Sequence, residues 1–291
     1  MIQSMTGFGK AKIELSTRKI TIEIKSLNSK QLDLSVRIPS LYKDKEMGLR
    51  NVLARKLERG KVDFSIFVEN IGTETSTQIN QNIITGYYNQ ITETAQKLGI
   101  ETPSDWFSVL LKLPDALKYE LQEVDEEEWK TVESTINDAI SQVLDFRKQE
   151  GNMLRKLFVE KVGNISELMS EIEQYESERI EKIKQRIIEA LQKIENFDYD
   201  KNRFEQEMIY YIEKLDINEE KSRLKNHLDY FLQTINDSSS GQGKKLGFIA
   251  QEMGREINTM GSKSNHAEMQ QIVVRMKDEL EQIKEQVLNV L

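Results

Sequence analysis

The sequence predicts an α+β protein: an N-terminal antiparallel β-sheet domain with one helix, followed by a long all-helical section with a coiled-coil-like arm. Three observations carry this prediction. The first seventy residues alternate apolar and polar side chains with period two, the pattern of strands with one buried face. From Asn80 onward apolar residues recur every three or four positions, which gathers them on one side of a helix. The three prolines stand at 39, 103 and 114, so no proline interrupts the last 177 residues.

Taken in order, Ile2–Leu15 reads as a first strand. Ile20, Ile22 and Ile24 mark a second, and Leu32, Leu34, Val36 and Ile38 a third, which Pro39 stops. Leu41–Glu58 has a helical pattern with Gly60 as its stop, and Val62, Phe64, Ile66 and Val68 form a fourth strand. This β-β-β-α-β order is most easily paired antiparallel. After Gly72 a Thr/Ser/Asn-rich stretch reads as a linker, and helical segments follow with breaks at Gly99, Pro103 and Pro114. Val132 to Ile194 carries apolar residues at helical spacing between Glu, Lys and Arg, the pattern of a long arm that pairs within one chain or between chains. One helix is expected over Phe204–Ile235, a loop over Asn236–Gly243, a polar helix to Lys263, and a last helix over His266–Leu291. The predicted units are residues 1–75 (β-rich), 76–120 (a helical and mixed connector packed on it), 121–200 (the arm) and 201–291 (a helical domain carrying the candidate active site).

Composition narrows the chemistry. With 38% apolar and 31% charged residues the chain has enough apolar surface for a core. No apolar run approaches the roughly 18 residues of a membrane span, and the opening residues hold no apolar signal core. The expected setting is therefore cytoplasmic, with no membrane partner. The absence of cysteine excludes disulfides, zinc ribbons and thiol nucleophiles, and two histidines leave any metal site to carboxylates. The net charge of −8 hides an asymmetry: residues 1–70 carry +6 and the remaining 221 carry −14. The basic front either attracts phosphate chains or consists of solvated strand edges.

Two rows of polar residues stand out. In the polar helix, Leu246, Ile249, Met253, Ile257 and Met260 form the apolar face. Phe248, Glu252, Arg255 and Thr259 line the opposite side, with Gln251, Glu256 and Asn258 beside them. Glu252 and Glu256, one turn apart, can share a divalent cation, and Arg255 can clamp a phosphate. Phe248 either packs on another helix or stacks a nucleobase. In the preceding helix Asp216, Glu220, Arg223 and His227 follow at spacings of four, three and four, along the edge of an apolar stripe. They are either a functional row or an ion-pair ladder in which each exposed pair adds about 0.3–0.5 kcal/mol. Gly241-Gln-Gly-Lys-Lys245 departs from a phosphate loop, because Ser238 replaces the upstream glycine and no Ser or Thr follows Lys244.

Further segments stand out from end to end: Ser4-Met-Thr-Gly-Phe8, Ile24-Lys-Ser-Leu-Asn-Ser-Lys-Gln-Leu32, Arg59-Gly-Lys-Val62, Arg147-Lys-Gln-Glu-Gly151, Asp216 to His227, Gly243 to Phe248 and Gln251 to Lys263. Through these segments the chain resembles the YicC/YloC family of bacterial stress-associated proteins, described as metal-dependent endoribonucleases. Gly247 stands where the family usually has Asp, and Gly254 where it usually has Asn. The resemblance implies RNA cleavage in the cavity of a homo-oligomer, a hexamer, with Mn²⁺ or Mg²⁺ as cofactor. On that basis Glu252, Glu256, Asp216 and Glu220 are the expected metal ligands. Glu252, Glu256, Arg255, Arg223 and His227 are the expected catalytic residues. Lys244, Lys245, Phe248, Asn258, Lys263, Arg59 and Lys61 are expected to hold RNA. The competing expectation is a non-catalytic RNA clamp that delivers transcripts to another nuclease, and a plain helical scaffold is a third.

Overall fold

Period-two alternation becomes a four-stranded sheet in the computed structural model, which describes residues 2–71, 77–119, 125–193, 201–237 and 241–291. The linker read over 72–76, the loop centre 238–240 and Ile194 lie outside the described residues. The strands are β1 (Gly7–Glu14), β2 (Arg18–Leu27), β3 (Leu32–Arg37) and β4 (Gly60–Asn70), in the spatial order β1-β2-β4-β3. β1–β2 and β2–β4 pair antiparallel as expected, with Ile20 opposite Val68 and Ile24 opposite Phe64. The expectation of antiparallel pairing throughout needs one correction: β3 runs parallel to β4, Leu34 opposite Val62. Between them the chain makes a 3₁₀ turn (Ser40–Lys45) and helix α1 (Glu46–Leu57), and such a helical crossover returns the chain in the same direction. The turn out of α1 falls on Glu58, with φ of 53°. Gly60 is required for space as well as for its φ of 118°, since a Cβ there would lie 2.9 Å from the Leu27 carbonyl oxygen.

The connector holds α2 (Gln81–Leu98) and α3 (Trp106–Leu110), framed by a two-stranded ribbon of β5 (Thr77–Ile79) and β6 (Leu117–Tyr119). The ribbon was not foreseen, because three-residue strands carry too little alternation to register. Side-chain caps start both helices: Asn80 accepts from the Ile83 amide and Asp105 from the Ser108 amide.

Helix α4 (Glu126–Gln192, 67 residues) organises the remainder. Its first part lays Val132, Ile136, Ala139, Ile140 and Val143 on the sheet beside Leu49, Leu53 and Leu57 of α1. Its middle packs Phe158, Val162, Ile165 and Ile172 into a second core with α6 (Asn218–Asn236), α7 (Gln242–Lys263) and α8 (Ala267–Val287). Its distal part pairs within the chain: Arg179, Ile180 and Ile183 share a cavity with Met208, Tyr211 and Ile212 of α5 (Lys201–Leu215).

The N-terminal residues are threaded between α4 and the chain's end. The Ser4 amide donates to the Arg147 carbonyl at 3.0 Å, Met5 to Asn289 at 2.8 Å, and Leu291 to Gln3 at 2.9 Å. Gly151 permits this path, because a Cβ there would fall 2.2 Å from the Ile2 carbonyl oxygen. Arg147 is fully buried. It donates to the carbonyls of Leu57 (2.9 Å), Arg59 (3.0 Å) and Met5 (3.4 Å) and to Ser26 Oγ (2.7 Å). Burial lowers its pKa, and the nearby Glu58 carboxylate opposes that shift.

Candidate functional site

The expected apolar face of α7 is buried against α6 and α8, including Leu246, Ile249, Met253, Ile257 and Met260. Gly254 marks the close approach to α8, where a Cβ would stand 3.3 Å from Leu280 Cδ2. Gly247 has room, since its Cβ would meet only Val287 Cγ1 at 3.7 Å. Replacing Gly247 with alanine is therefore expected to stabilise the protein by about 0.5–1 kcal/mol, read as a higher thermal midpoint with unchanged secondary structure. On the polar side Lys244, Phe248, Arg255 and Asn258 are exposed, while Lys245, Glu252 and Glu256 are half-buried. Phe248 is 59% exposed and belongs to neither core cluster among the described residues. Arg255 Nη1 pairs with Glu252 at 2.9 Å.

The single helix expected over Phe204–Ile235 is corrected to two, broken at Asp216–Ile217. The cause is local: Asp216 Oδ1 accepts from the Asn218 backbone amide (3.2 Å) and from its Nδ2 (2.8 Å), which offers the backbone an alternative to helix and starts α6. The row on α6 therefore begins at Glu220. Glu219 and Glu220 occupy its first turn, where the helix dipole favours anions. The ladder alternative also fails in detail. Arg223 pairs with Glu219 on the solvent side, whereas Glu220 is buried and takes its cation from α7, Lys263 Nζ at 2.8 Å. Lys263, expected to hold RNA, is thus engaged inside the chain, donating also to the Asp216 carbonyl at 2.9 Å. Glu220 Oε2 has no hydrogen-bond partner among the described residues.

These contacts fix how the two helices face each other. At one end Gln242 Nε2 donates to the Thr234 carbonyl (3.0 Å), and Lys245 Nζ sits 4.8 Å from the Tyr230 ring centroid. At the other end Lys263 reaches Glu220. The helices are therefore antiparallel. With 3.6 residues per turn, Lys245, Glu252, Glu256 and Lys263 fall within about 20° of one line along α7, and His227 falls within about 20° of Glu220 along α6. Lys245 and Lys263 both touch α6, so Glu252 and Glu256 belong to the same α6-facing line. The two carboxylates thus stand on the side of α7 that meets α6, and His227 on the side of α6 that carries Glu220.

The basic front residues approach the start of α7 through the sheet's end loop. Arg59 Nε donates to the Ser29 carbonyl at 2.9 Å, and the neighbouring Asn28 donates to the Leu288 carbonyl at 2.7 Å. Gly243 in turn lies against Val290, where a Cβ would be 2.3 Å from the carbonyl oxygen. Arg59, Lys61 on β4 and Lys244 thereby flank a single junction.

The donor set is hard oxygen, suited to Mn²⁺ or Mg²⁺. Among the described residues no group of three or more His, Asp and Glu side chains stands close enough to hold an ion by itself. Sequence reading missed the Lys263–Glu220 tie, since 43 residues separate the partners, and it gave Arg147 and Glu150 no structural task. Glu150 accepts from Thr6 Oγ1, and Arg147 closes the sheet onto α4.

Residues 2–156 match the family described as "Endoribonuclease YicC-like, N-terminal region", and residues 172–291 match "Endoribonuclease YicC-like, C-terminal". A protein of Clostridioides difficile named "Probable endoribonuclease YicC" is 32% identical over 296 aligned positions, covering 100% of both chains. A protein of the same name from Haemophilus influenzae is 26% identical over 293 positions, covering 99% of each. Among the described residues no helix is long and apolar enough to cross a membrane. With both halves matched in order and a full-length relative above 30% identity, the chain belongs to the endoribonuclease YicC-like family.

Proposed function

We propose that the protein is a metal-dependent endoribonuclease, working in the cytoplasm as a homo-oligomer, a hexamer, that encloses RNA in its cavity. The observation that carries this function is that Glu252 and Glu256 lie, half-buried, on the line of α7 whose Lys245 and Lys263 touch α6, with His227 on the side of α6 that carries Glu220. Glu252 and Glu256 would hold Mn²⁺ or Mg²⁺, with Asp216 and Glu220 contributed from another subunit as further oxygen donors. The bound cation would lower the pKa of a water and offset phosphate charge. His227 would move a proton to or from the reacting oxygens. Arg255 and Arg223, both exposed, would neutralise charge that grows on the phosphate as the P–O bond breaks. Lys244, Lys245, Phe248 and Asn258 would hold the strand, with Arg59 and Lys61 at the junction. Lys263 would join them on releasing Glu220.

The ion pairs that neutralise Glu252 and Glu220 favour a second function, an RNA clamp without chemistry. Incubation of purified protein with Mn²⁺ and end-labelled RNA separates the two. Fragments that appear with Mn²⁺ and vanish with a chelator are expected. Binding without fragments would leave the clamp.

A further inference from the structure

Core packing does not account for Tyr230 on α6. It is 46% exposed, and among the described residues it belongs neither to a core cluster nor to the side chains packed against one. Its ring carries the Lys245 ammonium of α7, with Nζ 4.8 Å from the centroid. Three other cations on these two helices are neutralised: Arg223 by Glu219, Arg255 by Glu252 and Lys263 by Glu220. Lys245 differs, since among the described residues it has no carboxylate within ion-pair distance.

Helix stability does not explain Lys245 either. Lys244 and Lys245 stand in the first turn of α7, which holds no acidic residue, and a cation there opposes the helix dipole. An aromatic face attracts an ammonium through its quadrupole but carries no net charge. Tyr230 therefore fixes the direction of Lys245 and leaves its positive charge uncompensated.

We propose that Tyr230 is a positioning residue for single-stranded RNA: its ring holds the Lys245 ammonium toward one phosphate, beside Phe248, which stacks the adjoining base. The assignment rests on RNA being the substrate, as proposed above, but not on cleavage. Phe248 follows Lys245 by three residues, so the two side chains are neighbours on the surface of α7. An unpaired nucleotide offers a phosphate to the ammonium and a base to the exposed ring at the same time, whereas a paired base is closed to stacking. Glu252 follows Phe248 by four residues along α7, and His227 precedes Tyr230 by three along α6. On both helices the RNA contact therefore adjoins the residues proposed for cleavage.

The test is fluorescence anisotropy of the full-length protein with a labelled short oligouridine, with chelator present, over a series of salt concentrations. Each phosphate contact to a single strand contributes about 0.7 to the slope of log affinity against log salt. Tyr230→Leu is expected to weaken binding about fivefold or more and to lower that slope by about 0.7, as Lys245→Ala does. Tyr230→Phe keeps the ring face and is expected to keep both affinity and slope. In the Tyr230→Leu/Lys245→Ala variant the slope is expected to fall no further than in Lys245→Ala alone. An unchanged thermal midpoint checks that these exposed substitutions leave the fold intact. Tyr230→Leu with the wild-type slope overturns the assignment, whatever its affinity, and so does Tyr230→Phe that behaves like Tyr230→Leu. Wild type without affinity for the oligouridine removes the assignment together with RNA as the substrate. A ring-dependent slope without any cleavage in Mn²⁺ removes the nuclease and leaves Tyr230 in its role.

Discussion

Replacing Glu252 and Glu256 together with glutamine is expected to leave a folded, assembled protein that cleaves RNA about a hundredfold or more slowly. Both side chains are half-buried on the α6-facing line of α7, and glutamine preserves their shape while removing two negative charges. The structural cost is small. The Arg255–Glu252 pair joins side chains that are 65% and 41% exposed, and an exposed pair of this kind contributes only about 0.3–0.5 kcal/mol. A large loss of cleavage with little loss of stability separates a chemical role from a packing role. Affinity for single-stranded RNA measured with chelator should stay within a few-fold of wild type, because Lys244, Lys245 and Phe248 remain. Undiminished cleavage by the folded variant would remove both carboxylates from the mechanism.

Arg147→Met is expected to destabilise the protein by about 3–5 kcal/mol, measured as a lower urea midpoint with an unchanged slope. Methionine fills much of the volume but donates nothing. The carbonyls of Leu57, Arg59 and Met5 and the hydroxyl of Ser26 would all lose a donor inside the core. These acceptors come from α1, from the turn entering β4, from the N-terminal segment and from β2, so one side chain ties the sheet's end to α4. Lysine is a poor substitute, because a point cation cannot reproduce the planar fork. Cleavage per folded molecule is expected to be unchanged under conditions where the variant stays folded. A loss of activity without a loss of stability would transfer Arg147 from the scaffold to the site.

The strands were legible because their inward residues repeat every second position over long runs, as in Ile20, Ile22 and Ile24. The direction of β3 was not, since period two is the same in either orientation; only the intervening α1 decides it. The helix break at Asp216 was hidden for a related reason. Apolar spacing continues through Ile217 and Leu224, and a single Asp–Asn cap interrupts the backbone without disturbing that spacing. In the site, one-turn spacing placed Glu252 and Glu256 on one line from sequence alone. That this line faces α6 was not readable. It depends on the Lys245–Tyr230 and Lys263–Glu220 contacts, and these join residues that no local pattern relates. The partner of Lys263 likewise follows only from the fold, as does the buried task of Arg147.

The proposed role of the α7 carboxylates, to hold the cation that RNA cleavage requires, is tested by an electron-paramagnetic-resonance titration of Mn²⁺ into wild type and the Glu252→Gln/Glu256→Gln variant, each with single-stranded RNA bound, alongside cleavage rates for the same samples. Wild type is expected to show a tight Mn²⁺ site whose occupancy follows the cleavage rate, and the variant to lose both. Equal Mn²⁺ affinity and equal cleavage in the two proteins would contradict the claim.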